Sequence, residues 1–157
     1  VAWFAGSLDE CEKLAAATAE VTHNHPEGIK GAVVVAGAIY LARMGHSMAE
    51  IREYAERFYP IGFTLDEIRP DYDFVETCQG SVPQALEAFF ESTGFEDAIR
   101  NAVSIGGDSD TIADMAGAIA EAYYGVDREM KNIALSYLDQ DLLDIAEEFE
   151  RRIILKA

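Results

Sequence analysis

IKGAVVVAGAIYLARM, residues 29–44, decides the fold. Its core, residues 31–42, is uninterrupted by charge and is bounded by Lys30 and Arg43. A membrane-spanning helix needs roughly 20 such residues, so the segment reads as a buried helix. Apolar character on all sides is the mark of a helix enclosed by others. Gly31, Ala32, Ala36, Gly37 and Ala38 are small enough to let those neighbours come close. Gly45 ends the segment in the usual C-terminal position. This is the expected central helix.

Working outward, apolar residues recur at helical spacing and the boundaries carry capping chemistry. Upstream, Ser7 and Glu10 have capping-box spacing and open a helix over residues 8–22, with Leu14, Ala17, Thr18 and Val21 on one face. The turn THNHPEG follows. Downstream, Ser47 with Glu50 opens a helix to about residue 58, before Pro60, and Thr64 with Glu67 opens a shorter one. Residues 69–80 read as an irregular loop of the kind that lines sites. Ser81 with Gln84 is expected to cap a helix to about residue 92, with Pro83 in its first turn. Further helices are expected over 95–104, 110–124, 128–138 and 141–155. Strand alternation, internal repeats and long linkers are missing from the pattern. The fold class is all-α, a single compact multi-helix domain over residues 1–157.

Composition narrows the function. The chain has 157 residues and a net charge of -17, from 29 acidic and 12 basic side chains. That field repels phosphate backbones and anionic lipid, so neither nucleic acid nor membrane is expected as a partner. It attracts divalent cations, although an acidic surface by itself serves solubility. Cys11 and Cys78 are too few and too far apart for a disulfide framework or a zinc site. Both are read as reduced thiols of a cytoplasmic protein. The acidic runs within 139–144 and 147–150 read as solvated helix faces.

The strongest local signal is GGDSDT, residues 106–111, between two expected helices. Hard cations such as Mg²⁺ and Mn²⁺ take oxygen ligands, and alternate carboxylates on a glycine-loosened turn can converge on one ion or bridge two. The plainer reading of an isolated D-x-D-T makes Asp110 an N-cap and Asp108 a turn residue. Asp114, one turn after Asp110, could reach the same ion, but the preferred reading is an acidic residue at the positive end of a helix dipole. His23 and His25 share one turn and could serve as ligands, proton carriers, substrate contacts or caps. Without a third histidine nearby they argue against zinc. No G-x-S-x-G turn is present and Cys78 has no evident histidine partner, which disfavours a nucleophilic triad. The aromatics Phe58, Tyr59, Phe63, Phe89 and Phe90 are assigned to packing.

The run AVSIGGDSDTIADMAGAIAEAYYG, residues 102–125, resembles the C-terminal metal motif and following helix of the ADP-ribosylglycohydrolases, the family that includes the dinitrogenase reductase-activating glycohydrolases. THNHPEGIKGAVVVAGAIY, residues 22–40, is similar to that family's Thr-His turn and central helix. Gly28, Gly31 and Ala32 lead into that helix. SVPQALEAF, residues 81–89, resembles the segment before the metal motif. The resemblance implies an all-α hydrolase that cleaves the glycosidic bond between ADP-ribose and an acceptor, using two Mg²⁺ or Mn²⁺ ions. It makes Asp108, Asp110 and Thr111 metal ligands, and His23 and Gly107 substrate contacts. It implies an ADP-ribosylated protein or a small ADP-ribose conjugate as substrate.

The family's other ligands lie in a Thr-Asp-Asp motif towards its N-terminus, with a Gly-Asp-Ala segment and a catalytic glutamate. None of these motifs occurs in this sequence. The expectation is therefore that the family's N-terminal helices are absent, that the chain alone is weakly active or inactive, and that exposed apolar surface favours a homo-oligomer. The alternative reading is a non-catalytic module that binds ADP-ribose or a related nucleotide, or mediates helical interactions.

Overall fold

The Ala- and Gly-rich segment forms α2 (Pro26–Arg43) and takes the central place in a computed structural model. The structure describes residues 1–156, with side chains through residue 153. Helix α2 packs against α1 (Leu8–Glu20), α3 (Met48–Glu56), α5 (Cys78–Phe90) and α7 (Ser109–Tyr124). The short α4 (Leu65–Ile68) and α6 (Phe95–Ile105) lie against α5, and α6 also packs along α7. No strand occurs among the described residues. The all-α expectation holds.

Contacts divide the chain into two compact units, Val1–Tyr124 and Gly125–Ala157. In the first unit, small residues do what the sequence required of them. A side chain at Gly31 would meet Cys78 Sγ at 3.0 Å, and one at Gly37 would run into the Tyr54 ring and hydroxyl. Val34, Ala38 and Leu41 of α2 join Ile51, Leu86, Phe89 and Ile119 in one buried cluster. A second cluster, formed by Leu65, Ala85, Ala88, Ala102, Ile105, Ile112 and Ala116, lies under α7. Fully burying a side chain such as Phe89 or Ile112 contributes about 1.5–3 kcal/mol. Phe89 meets Tyr123 edge-on, with ring centroids 5.4 Å apart, and Tyr59, Phe89 and Phe90 are buried as the packing assignment required. Arg43 ties the N-terminal segment to the end of α2 through the carbonyls of Trp3 and Ala5.

The second unit comprises α8 (Arg128–Leu135) and α9 (Gln140–Lys156). Lys131 of α8 pairs with Glu150 of α9. Helix α8 buries none of its residues, and Asp139, Asp141, Asp144 and Glu147 are exposed.

Several boundaries differ from the sequence expectation for local reasons. Helix α2 starts at Pro26 rather than at 29, because His25 is its N-cap in extended conformation and accepts from the Glu27 N–H through Nδ1 at 3.2 Å. Pro26 then occupies a first-turn position where its missing N–H costs nothing. Helix α5 starts at Cys78, not at Ser81. The expected cap Ser81 instead donates its hydroxyl to the Thr77 carbonyl at 3.0 Å. Pro83 therefore sits inside the helix, where it cannot donate to the Gln79 carbonyl. Helix α8 ends at Leu135, three residues short, in a run of turn hydrogen bonds.

Candidate functional site

Two glycines build the site's backbone. Gly106 leaves α6 at φ 81° and Gly107 continues at φ 61°, a left-handed region that glycine enters without a steric penalty. The chain then turns at once into α7, whose first helical residue is Ser109. The Asp108 carbonyl accepts from the Ile112 N–H at 3.1 Å, which makes Asp108 the residue in the capping position. Its carboxylate nevertheless caps nothing. Among the described residues, the side chains of Asp108, Asp110 and Thr111 make no hydrogen bond and no ion pair. The plainer reading, in which Asp110 is the N-cap, therefore does not describe this helix. Asp110 and Thr111 are exposed in its first turn and Asp108 is partly buried.

A residue type that normally caps a helix sits at the cap, and its carboxylate makes no described bond to the first-turn N–H groups of α7. Two carboxylates and a hydroxyl form an oxygen donor set of the kind that suits a hard divalent cation. They fit such an ion in kind. They do not complete its coordination, for no group of three or more His, Cys, Asp or Glu side chains gathers among the described residues. The sequence's third acidic residue, Asp114, is also exposed and unbonded.

The Thr-His turn is held against the first turn of α2. A side chain at Gly28 would come within 2.8 Å of the His23 carbonyl oxygen. The two histidines have different surroundings. His25 caps α2, whereas the His23 ring is exposed, with Nδ1 sharing a hydrogen bond with the Thr22 hydroxyl at 2.8 Å. The other ring nitrogen of His23 has no bonded partner among the described residues. No described hydrogen bond or ion pair joins His23 to Asp108, Asp110 or Thr111.

Sequence reasoning placed the loop before α5 near a site without naming a residue in it. The structure names Tyr72 and Asp73, which lie against Gly107. Burial pushes the Tyr72 phenol above its ordinary pKa, and the negative Asp108 adds to that shift. A single tyrosine between two aspartates carries no sequence signal for such a role.

Helices packed around a small-residue centre, with two carboxylates and a hydroxyl at the start of one of them, define an all-helical class of domain. The chain belongs to the ADP-ribosylglycohydrolase family, whose sequence profile matches residues 1–155. Human ADP-ribosylhydrolase ARH3 is 28% identical over an alignment covering 96% of this chain and 54% of the relative. The ADP-ribosyl-[dinitrogen reductase] glycohydrolase of Rhodospirillum rubrum is also 28% identical, covering 94% of this chain and 49% of its own length. The ADP-ribosylarginine hydrolase Tri1 of Pseudomonas putida is 32% identical over 68% of this chain. The chain thus spans about half the length of the first two of these relatives.

Proposed function

We propose that this chain carries the Asp108, Asp110 and Thr111 portion of a Mg²⁺-dependent ADP-ribosylglycohydrolase, which hydrolyses the glycosidic bond between ADP-ribose and an acceptor. The observation that carries the reading is the carboxylate of Asp108, placed at the cap of α7 and bonded to nothing among the described residues. A side chain left unpaired at the start of a helix is available to a ligand, and family membership says which chemistry that ligand serves. The relatives' names point to ADP-ribosylated protein or a small ADP-ribose conjugate as substrate.

In this reading Asp108, Asp110 and Thr111 would hold Mg²⁺ or Mn²⁺, two ions in the complete site, which when bound would polarise the sugar hydroxyls and a water. The rest falls to the chain itself. The exposed His23 ring, oriented by Thr22, offers a nitrogen to a ribose or phosphate oxygen. The backbone at Gly107 lies beside the ligands and has no side chain to obstruct the substrate. A carboxylate must still move a proton at the acceptor atom or at the water. None of the residues named in this chain is assigned that task.

Cytoplasmic residence belongs to the same proposal, supported by two free cysteines, Cys11 and Cys78. No described helix is long and apolar enough to cross a membrane. Self-association is supported by exposed Leu14, Val21, Met44, Phe74 and Val103, and light scattering showing only monomer at high concentration would remove it.

Titration calorimetry with Mg²⁺ and then ADP-ribose tests the reading, on the wild type and Asp110→Ala. Metal-dependent ADP-ribose binding that the substitution abolishes is the expected result. Equal Mg²⁺ binding by the two proteins would refute the ligand assignment. Adding an ADP-ribosylated arginine substrate separates hydrolase from binding module, since the module binds without releasing ADP-ribose.

A further inference from the structure

Tyr72 touches two separate stretches of backbone. Its ring lies against Gly107, where an added Cβ would come 2.7 Å from Cε1 and 3.2 Å from Cδ1. The neighbouring Asp73 carbonyl would be 2.9 Å from the same Cβ. The Tyr72 hydroxyl donates to the Gly80 carbonyl at 2.6 Å, in the first turn of α5. The body of the side chain packs on the buried cluster that includes Ala85, Ile105 and Ile112.

The turn it leans on needs an outside constraint. Two consecutive residues at positive φ are both glycine, and glycine loses more conformational freedom on ordering than any other residue. The Asp108 side chain adds no hydrogen bond or ion pair among the described residues, which leaves its carbonyl bond to the Ile112 N–H as the link to α7. The atoms nearest the side-chain position of Gly107 are those of the Tyr72 ring and the Asp73 carbonyl.

We propose that Tyr72 is the positioning residue of the candidate cation site, bracing the Gly106-Gly107 turn against α5 so that Asp108 is presented in one orientation. The inference rests on the ligand reading of Asp108, Asp110 and Thr111. Side chains that orient ligands typically influence metal affinity by about 10- to 100-fold. Tyr72 would act through the backbone rather than by touching the ion.

The test uses the full 157-residue chain with two readouts. The first is Mn²⁺ affinity by electron paramagnetic resonance for wild type, Tyr72→Phe, Tyr72→Ala and Asp108→Asn. The second is amide hydrogen exchange at Ile112, whose N–H bonds to the Asp108 carbonyl, in metal-free protein. Expected are about tenfold weaker Mn²⁺ binding in Tyr72→Ala, faster Ile112 exchange, and unchanged exchange within α2. Tyr72→Phe, which keeps the ring on Gly107, should restore most of both. Unchanged Ile112 exchange in Tyr72→Ala would overturn the brace. Faster exchange with Mn²⁺ affinity unaltered would overturn the positioning role, provided Asp108→Asn shows that the site is real. If the wild type binds no Mn²⁺ while exchange still rises in Tyr72→Ala, the ligand reading fails and the brace stands.

Discussion

Arg52 of α3 reaches the carboxylate of Glu87 on α5 at 2.8 Å, and Glu87 is only 4% exposed. The guanidinium also stacks 4.2 Å from the centroid of the Phe90 ring. Burial raises the Glu87 pKa, Arg52 pulls it back, and Glu91 pushes it up again. Removing one partner of a buried pair leaves an uncompensated charge, which typically costs about 3 kcal/mol. A carboxyl whose folded pKa is raised holds its proton better in the folded chain than in the unfolded one. Its contribution to stability therefore falls as pH rises from the ordinary carboxylate value through the raised one. Without Arg52 that window extends upward. Arg52→Met, which keeps the apolar stem on Phe90, should destabilise the protein much more at pH 7 than at pH 4. Urea unfolding at the two pH values checks this, and equal losses would show that the charge pair is not the cause.

Gly37 and Tyr54 leave no room for a methyl group. A Cβ on Gly37 would overlap the Tyr54 hydroxyl and ring, while that hydroxyl donates to the Val33 carbonyl at 3.3 Å. Overpacking of this kind typically costs about 1–3 kcal/mol. Gly37→Ala should lose that amount despite the better helix propensity of alanine. Gly37→Ala combined with Tyr54→Val should be less destabilised than the two single losses added together. Additive losses in a double-mutant cycle would mean that the two residues do not compete for the space.

Position 37 also shows what the sequence carried. An uninterrupted apolar run rich in small residues announced a central helix with close neighbours, and α2 has them because Gly31 and Gly37 face Cys78 and Tyr54. The capping signals Ser47 with Glu50 and Thr64 with Glu67 marked the starts of their helices, although α3 ends at Glu56 rather than near 58. The same spacing in Ser81 with Gln84 did not mark a start, because Ser81 bonds backward to Thr77. His25, for which capping is one of several readings from sequence, is the cap of α2. Asp108 and Asp110 could be named as candidates from sequence because their motif is local. Tyr72 could not, because its contacts are with residues 8 and 35 positions further on.

The two kinds of cap can be told apart by measurement. In α3 the Ser47 hydroxyl accepts from the Glu50 N–H at 3.3 Å, and Glu50 returns a bond to the Ser47 N–H at 2.8 Å. Donation from the Ser47 hydroxyl at 2.7 Å, and then from the Ser47 N–H, holds the Glu50 carboxyl below its usual pKa. In α5 the Thr77 side chain makes no cap bond. Ser47→Ala should therefore cost about 1 kcal/mol, and Thr77→Ala much less. The Ser47 contribution should fade as pH falls through the depressed Glu50 value, because protonation removes the return bond. Chemical denaturation midpoints of the two variants decide the matter, and equal losses would contradict the described bonding.

Asp108 and Asp110 give the test that separates site from scaffold. Their side chains bond to nothing among the described residues, so Asp108→Asn and Asp110→Asn should change metal-free stability by no more than about 0.5 kcal/mol. Two terms are expected to offset one another: each substitution loses a favourable charge at the positive end of α7 and relieves repulsion between neighbouring carboxylates. A ligand that binds only the folded chain stabilises it by about 2.7 kcal/mol at 100 times its dissociation constant. The wild type should therefore gain a higher thermal midpoint in excess Mg²⁺, and the two variants should gain much less. A large loss in metal-free protein would mean that these carboxylates hold the fold together. Equal Mg²⁺-induced shifts in all three proteins would place the ion elsewhere, because ligands removed one at a time cannot leave the binding energy unchanged.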